Sequence, residues 1–197
     1  MSSQINIHPT FSRLSPSITS KPSSATTLSC HCTTSPVRIT LSAPIAHNHF
    51  CGCTQCWKPS SSLFSLIGVV PSNALAITSS AAKLTILDPS ATIKRHACRD
   101  CGVHMFGRID ESTPHAFQGL DFVHGELATN GGEGQEQPKF AGFVSSVIES
   151  GFEKERMGEL RGVLRGKGLE VYDCLSPELM DLIAGFAAER KRGKAKL

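Results

Sequence analysis

A chain of 197 residues can close one sizeable core but is too short for two ordinary domains. Its formal net charge is +3, its basic residues are scattered and it has one Trp and one Tyr, which argues against a nucleic-acid surface. No apolar run approaches the roughly 18 residues of a membrane-spanning helix, and the start lacks the apolar core of a secretory signal. A cytoplasmic protein is expected, with organelle targeting by the Ser/Thr/Pro-rich start as the alternative.

In chain order, residues 1–26 are rich in Ser, Thr and Pro and low in apolar residues, which predicts a disordered leader. The folded unit is expected from residue 27. Alternation over Val37 to Leu41 predicts a half-buried strand, and Leu63 to Val70, ended by Pro71, a second. Further short strands are predicted at Ala74 to Thr78, Leu84 to Leu87, Val103 to Ile109 and Ala116 to Val123, with turn residues between them, and Ile93 to Ala97 leads into a knuckle-like turn at Cys98 to Gly102. After a glycine-rich boundary at Thr129 to Gln137 the period changes. Phe140, Phe143, Val144, Val147 and Ile148 predict a helix. A second is predicted over Glu153 to Arg165, and Ser176-Pro177-Glu178 starts a third with Leu179, Leu182, Ile183 and Phe186 as its apolar stripe. The expected organisation is a leader at 1–26, a β domain at 27–137, a helical extension at 138–190 packed on it and a basic tail at 191–197.

Seven of the eight cysteines fall in three clusters: Cys30-x-Cys32, Cys51-x-Cys53-x-x-Cys56 and Cys98-x-x-Cys101. Cysteines one or two residues apart rarely meet disulfide geometry, whereas thiolates on short turns converge easily on a soft metal such as zinc. Seven thiols divide most simply into four plus three. The four-ligand site could pair Cys30 and Cys32 with Cys98 and Cys101, or draw on the central cluster, and His31, His47, His49, His96 or His104 could complete a site. The contiguous Cys51, Cys53, Cys56 set suits an open site. Cys174 stands alone and reads as a small buried hydrophobe.

Cys30-His31-Cys32, the stretch Ala46 to Pro59, the segment Arg95 to Met105 and Gly119-Leu120-Asp121-Phe122 together resemble the glutathione-dependent formaldehyde-activating enzymes, the S-(hydroxymethyl)glutathione synthases. The likeness extends to the longer form of that family at Phe143 to Gly151 and Tyr172 to Pro177, covering roughly residues 28 to 187. It implies a mainly β, zinc-anchored, sandwich-like single domain with a helical C-terminal extension. It also implies two zinc ions, a structural one on Cys30, Cys32, Cys98 and Cys101 and a catalytic one on Cys51, Cys53 and Cys56. The implied activity is condensation of glutathione with formaldehyde, the first step of glutathione-dependent formaldehyde detoxification, by a carbon–sulfur lyase.

Three thiolates make zinc a weak Lewis acid, so such a site should activate an incoming thiol rather than a carbonyl. His47, His49 and His104 are the proton-donor candidates, Lys58 and Arg95 the carboxylate binders, and Trp57 a wall of the site. Glutathione and formaldehyde are the expected partners, with neither nucleic acid nor membrane, and self-association into a homo-oligomer is allowed. The competing readings are a zinc-dependent carrier of glutathione or its adduct and a structural zinc module without catalysis.

Overall fold

The computed structural model describes residues 5–14, 26–130 and 135–194. It is mainly β, with two sheets. The smaller holds β1 (Thr26–Ser29), β2 (Arg38–Leu41) and β5 (Leu75–Ser79), in the order β1-β2-β5 and antiparallel throughout. The larger holds β3 (Ala46–Cys51), β4 (Ser65–Pro71), β6 (Leu84–Ile86), β7 (Lys94–Cys98), β8 (His104–Arg108), β9 (Leu120–His124), β10 (Phe140–Gly142) and β11 (Glu170–Val171). Its order is β11-β10-β3-β4-β9-β8-β7-β6. β2 alternates, with Ile39 and Leu41 buried and Arg38 exposed, as a strand with one wet face must. β4 is buried almost throughout: it lies between β3 and β9, which is why its sequence is a continuous apolar run.

Two apolar clusters hold these layers. Leu28, Ile39 and Leu41 of the small sheet pack with Val70, Met105 and Val123 of the large one. Phe50, Phe64, Val144 and Val147 pack with Leu160 and Leu164 of α1 (Met157–Gly166). Asp121 is fully buried but not bare, because Arg108 grips both its carboxylate oxygens and the Ser72 hydroxyl donates to it at 3.0 Å. A buried carboxylate is tolerated only with such partners.

Three expectations are corrected. Residues 5–14 are not a free leader: they form a strap across the second cluster, with Ile7 and Leu14 buried and Ile5 and Phe11 packed alongside. The Leu63 and Phe64 amides donate to the carbonyls of Asn6 and Ile7 at 3.1 Å each. Lys167 ties the strap down by donating to the Ser12 and Leu14 carbonyls. Average composition concealed four apolar side chains spaced to reach one surface. The rest of the predicted leader up to Ala25 lies outside the described residues.

The helix predicted over 140–148 is instead β10 followed by a 3-10 helix, Val144–Ile148. Phe143 takes a left-handed backbone (φ 54°) that breaks any continuous helix, and Phe140 to Gly142 pair in parallel with His49 to Cys51. The extension is therefore not purely helical, since β10 and β11 complete the large sheet. The second predicted helix appears as a 3-10 turn leading into α1, with Met157, Leu160 and Leu164 buried but Val163 exposed. The third is α2 (Pro177–Lys194), which runs into the predicted basic tail. Its stripe is only half-buried at Leu179, Ile183 and Phe186, and Leu182 is exposed. Among the described residues no helix is long and apolar enough to cross a membrane.

Candidate metal centres and the adjoining cavity

The sulfurs of Cys30, Cys32, Cys98 and Cys101 lie within 4.8 Å of one another, and those of Cys51, Cys53 and Cys56 form a second such group. A zinc tetrahedron with Zn–S near 2.3 Å has sulfur–sulfur edges of about 3.8 Å. The Cys32–Cys98 and Cys56–Cys51 separations of 3.7 Å and the Cys53–Cys56 separation of 3.4 Å match that size. Both donor sets therefore fit a zinc ion.

Local backbone explains each group. Cys30 follows β1, and the Val37 amide donates to its sulfur at 3.2 Å. Cys98 ends β7, and the chain turns at Gly102, whose φ of 74° favours glycine and whose amide donates to the Cys98 carbonyl at 2.8 Å. The turn between two paired strands thus presents Cys98 and Cys101 to the Cys30 loop. Burial pushes Cys32 up to about 12, helped by the neighbouring thiols. Against the same burial, amides of Val103 and His31 hold Cys101 down at about 7.

Cys51 ends β3 between Ser65 of β4 and Gly142 of β10. The next residue must be glycine, because a Cβ on Gly52 would stand 2.6 Å from the Phe143 carbonyl oxygen. Cys53 sits low, near 2, because the thiols of Cys51 and Cys56 both donate to it, and Cys51 rises in turn to about 12. Among the described residues no fourth His, Cys, Asp or Glu donor completes the group.

Trp57 follows Cys56 and joins the two centres. Its ring meets His31, between Cys30 and Cys32, edge-on at 5.4 Å, and meets His124 of β9 at 5.7 Å. The Ser65 hydroxyl fixes its carbonyl. Trp57 also walls a cavity of about 660 Å³ lined by Arg13, Leu14, His31, Glu126 and Gln137, among others, a size ordinary for small-molecule sites.

The chain matches the model of the family described as "Glutathione-dependent formaldehyde-activating enzyme" over residues 25–145. It belongs to that family. Relatives from three organisms share the name "Putative glutathione-dependent formaldehyde-activating enzyme". The Penicillium rubens protein is 53% identical over 162 residues, 82% of this chain and 83% of its own. The Podospora anserina protein is 53% identical over 171 residues, 87% and 78% of the two chains, and that of Fusarium vanettenii 50% over 165, 84% and 87%. A crystal structure of a Rhodobacter sphaeroides protein aligns at a TM-score of 0.38 and 22% identity, over 51% of this chain and 85% of that one, too distant to add to the fold.

The formaldehyde-activating family member brings only some of its sequence-predicted site residues together. Trp57 is at the centre. Lys58 donates to the Cys53 carbonyl at 2.5 Å, so its ammonium braces the cysteine loop. Arg95, on β7, donates to the Ile93 carbonyl just before that strand and does not line the cavity. His47 is exposed at a left-handed position (φ 53°), and its carbonyl accepts from His49 Nδ1. His49 is buried and stacked on Phe140, and burial lowers it. His104 reaches to 6.0 Å from His124, but burial and the neighbouring His124 hold it near 4. His96 stacks on Phe106 away from both thiol groups.

Sequence reasoning missed Arg13 and His8 on the strap, and His124 and Glu126 after β9. The last two had a local signal, the spacing His124-Gly125-Glu126, which allows an imidazole and a carboxylate to meet across a turn. The Glu126 side chain is largely buried at the cavity wall. Burial pushes its carboxyl up, but His124 and His8 outweigh that and hold it near 2.

Proposed function

We propose that this chain is an S-(hydroxymethyl)glutathione synthase of the carbon–sulfur lyase class, with one zinc on Cys30, Cys32, Cys98 and Cys101 and another on Cys51, Cys53 and Cys56. The observation that carries this reading is the contrast between the two thiol groups: four sulfurs that can close a tetrahedron, and three that cannot, next to a walled cavity. Metal held by three thiolates supplies an open position that acidifies an incoming thiol and keeps its sulfur nucleophilic.

The protein's own groups do the rest. The cavity offers one guanidinium, Arg13, for a glutathione carboxylate, an apolar wall of Leu14 and Trp57 for the peptide, and a side-chain amide at Gln137. Lys58 and the Ser65 hydroxyl hold Cys53 and Trp57 by their carbonyls, which keeps the thiols and the wall in register. The glutathione sulfur then adds to formaldehyde. The S–C bond forms, the carbonyl π pair moves to oxygen, and one proton passes from thiol to the new hydroxyl. A cytosolic location suits the eight unpaired thiols.

Metal content, glutathione calorimetry and exchange spectroscopy of formaldehyde with its adduct test the reading. Two zincs per chain, glutathione binding and exchange faster than in buffer are expected. Cys53→Ser should hold one zinc and lose both glutathione binding and the acceleration. A Cys53→Ser protein that still binds glutathione overturns the reading.

A further inference from the structure

His124 carries the arrangement of an oriented acid–base imidazole. Its Nδ1 lies 3.4 Å from Glu126 Oε1, and both side chains are buried. A carboxylate on one ring nitrogen fixes the tautomer and leaves Nε2 as the nitrogen that can exchange a proton with something else. The Leu66 amide donates to the same oxygen at 3.4 Å, and His8 on the strap faces it from another side, its Nε2 at 3.6 Å and beyond hydrogen-bond reach. His8 is set in turn by Thr10, with its Nδ1 2.8 Å from the hydroxyl and accepting the Thr10 amide at 3.2 Å. A threefold arrangement of imidazole, carboxylate and imidazole is costly to bury. Its members leave polar atoms unused: His8 Nε2 and Glu126 Oε2 have no hydrogen-bond partner. Packing alone would favour apolar residues here.

The position of the imidazole gives the cluster a purpose. His124 closes β9, in the cross-strand row of His49 and Ile67, two rows from Cys51 and Ser65. Its ring meets Trp57, the residue after Cys56, at 5.7 Å, and the Glu126 that orients it lines the cavity. The titratable groups facing His124 are Glu126 from the following turn, His8 from the strap behind Glu126, and His104 from β8. Neighbouring β4 contributes Leu66 and Ile67, and the loop after Cys56 the indole.

We propose that His124 is the proton-transfer residue of this site, and that Glu126, backed by His8, is its positioning residue. This rests on the synthase reading above. In the forward step His124 Nε2 takes the proton released by the glutathione thiol. The sulfur attacks the formaldehyde carbon, the carbonyl π pair passes to oxygen, and the imidazolium returns its proton to that oxygen. The ring ends neutral, and thiol plus aldehyde have become the hydroxymethyl thioether with no other reactant.

The test uses the zinc-loaded full-length protein as wild type, His124→Asn, His124→Gln and Glu126→Gln. Both His124 variants should keep their zinc and bind glutathione within twofold, while the catalysed exchange rate falls about 10²-fold. Glu126→Gln should lower the rate with little change in glutathione binding. It should also change the His124 ring nitrogen resonances in NMR, because the carboxylate that sets the tautomer is gone. Independently of rate, the wild-type His124 Nε2 resonance should shift in nitrogen NMR when glutathione is added. If glutathione binds but that resonance stays put, or if folded His124 variants exchange at the wild-type rate, the inference falls and the synthase reading stands. If wild type neither binds glutathione nor exceeds the buffer rate, both fall.

Discussion

Replacing Gly52 by alanine tests whether the three-thiol loop is held by its fit against β10. The added Cβ would stand 2.6 Å from the Phe143 carbonyl oxygen, 3.0 Å from Phe64 Cε1 and 3.1 Å from Val147 Cγ1. None of these can swing aside. The oxygen is backbone, and Phe64 and Val147 are fully buried. The loop must therefore lift by about half an ångström, a strain in the range of about 1–3 kcal/mol for an overfilled site. At about 2 kcal/mol the melting temperature falls by roughly 4–8 °C for a chain of this size. The lifted residue lies between Cys51 and Cys53, so the same movement spreads sulfurs now 3.4 to 3.7 Å apart. Zinc affinity at that group should fall about tenfold, which is about 1.4 kcal/mol. The four-thiol group, on other strands, should be unaffected. Chelator competition resolves the two affinities, and thermal unfolding followed by circular dichroism gives the stability. Unchanged weak-site affinity together with an unchanged melting temperature would refute the account of the loop.

Other substitutions separate the roles of neighbouring groups. Arg13→Ala should raise the glutathione Kd about tenfold with the melting temperature nearly unchanged, since its guanidinium lines the cavity while the strap is held by other residues. Calorimetry reads this directly. Cys98→Ser should do more harm than Cys53→Ser: Cys98 is fully buried at the junction of both sheets, so losing its zinc should abolish the cooperative unfolding transition as well as one metal equivalent. Acid stability offers a further check. Glu126 is depressed from 4.5 to about 2, so its contribution is present above the unfolded value and is lost as pH falls from about 4.5 to about 2, up to roughly 3 kcal/mol. In acid denaturation of the zinc-loaded protein, Glu126→Gln should show a shallower loss over that window than wild type.

Local spacing made the thiol groups legible, because ligands one to three residues apart must converge whatever the fold does around them. Alternation likewise located β2, and apolar runs of strand length located β4 and β8. Phe140 to Ile148 misled because a strand pair followed by a 3-10 turn buries the same apolar positions as a helix, and nothing in the composition announces the left-handed Phe143 between them. The strap was lost to averaging, since Ile7 and Leu14 sit among polar neighbours. Lys58, Arg95, His47 and His49 were chosen for closeness in sequence. The cation that reaches the cavity, Arg13, is instead brought there by packing, as His124 is brought beside Trp57 by the pairing of β4 with β9.

Trp57 is the only tryptophan in the chain, and it touches both an imidazole of the four-thiol loop and the imidazole at the end of β9. Indole emission is quenched by nearby imidazolium and thiolate and responds to the polarity around the ring. The protein therefore carries its own fluorophore at the junction of its two metal loops and its cavity. Titrating metal into the apoprotein should change the emission in two separate phases, one for each loop, and glutathione should add a third. Occupancy of each site can thus be followed optically without attaching a dye or altering a residue.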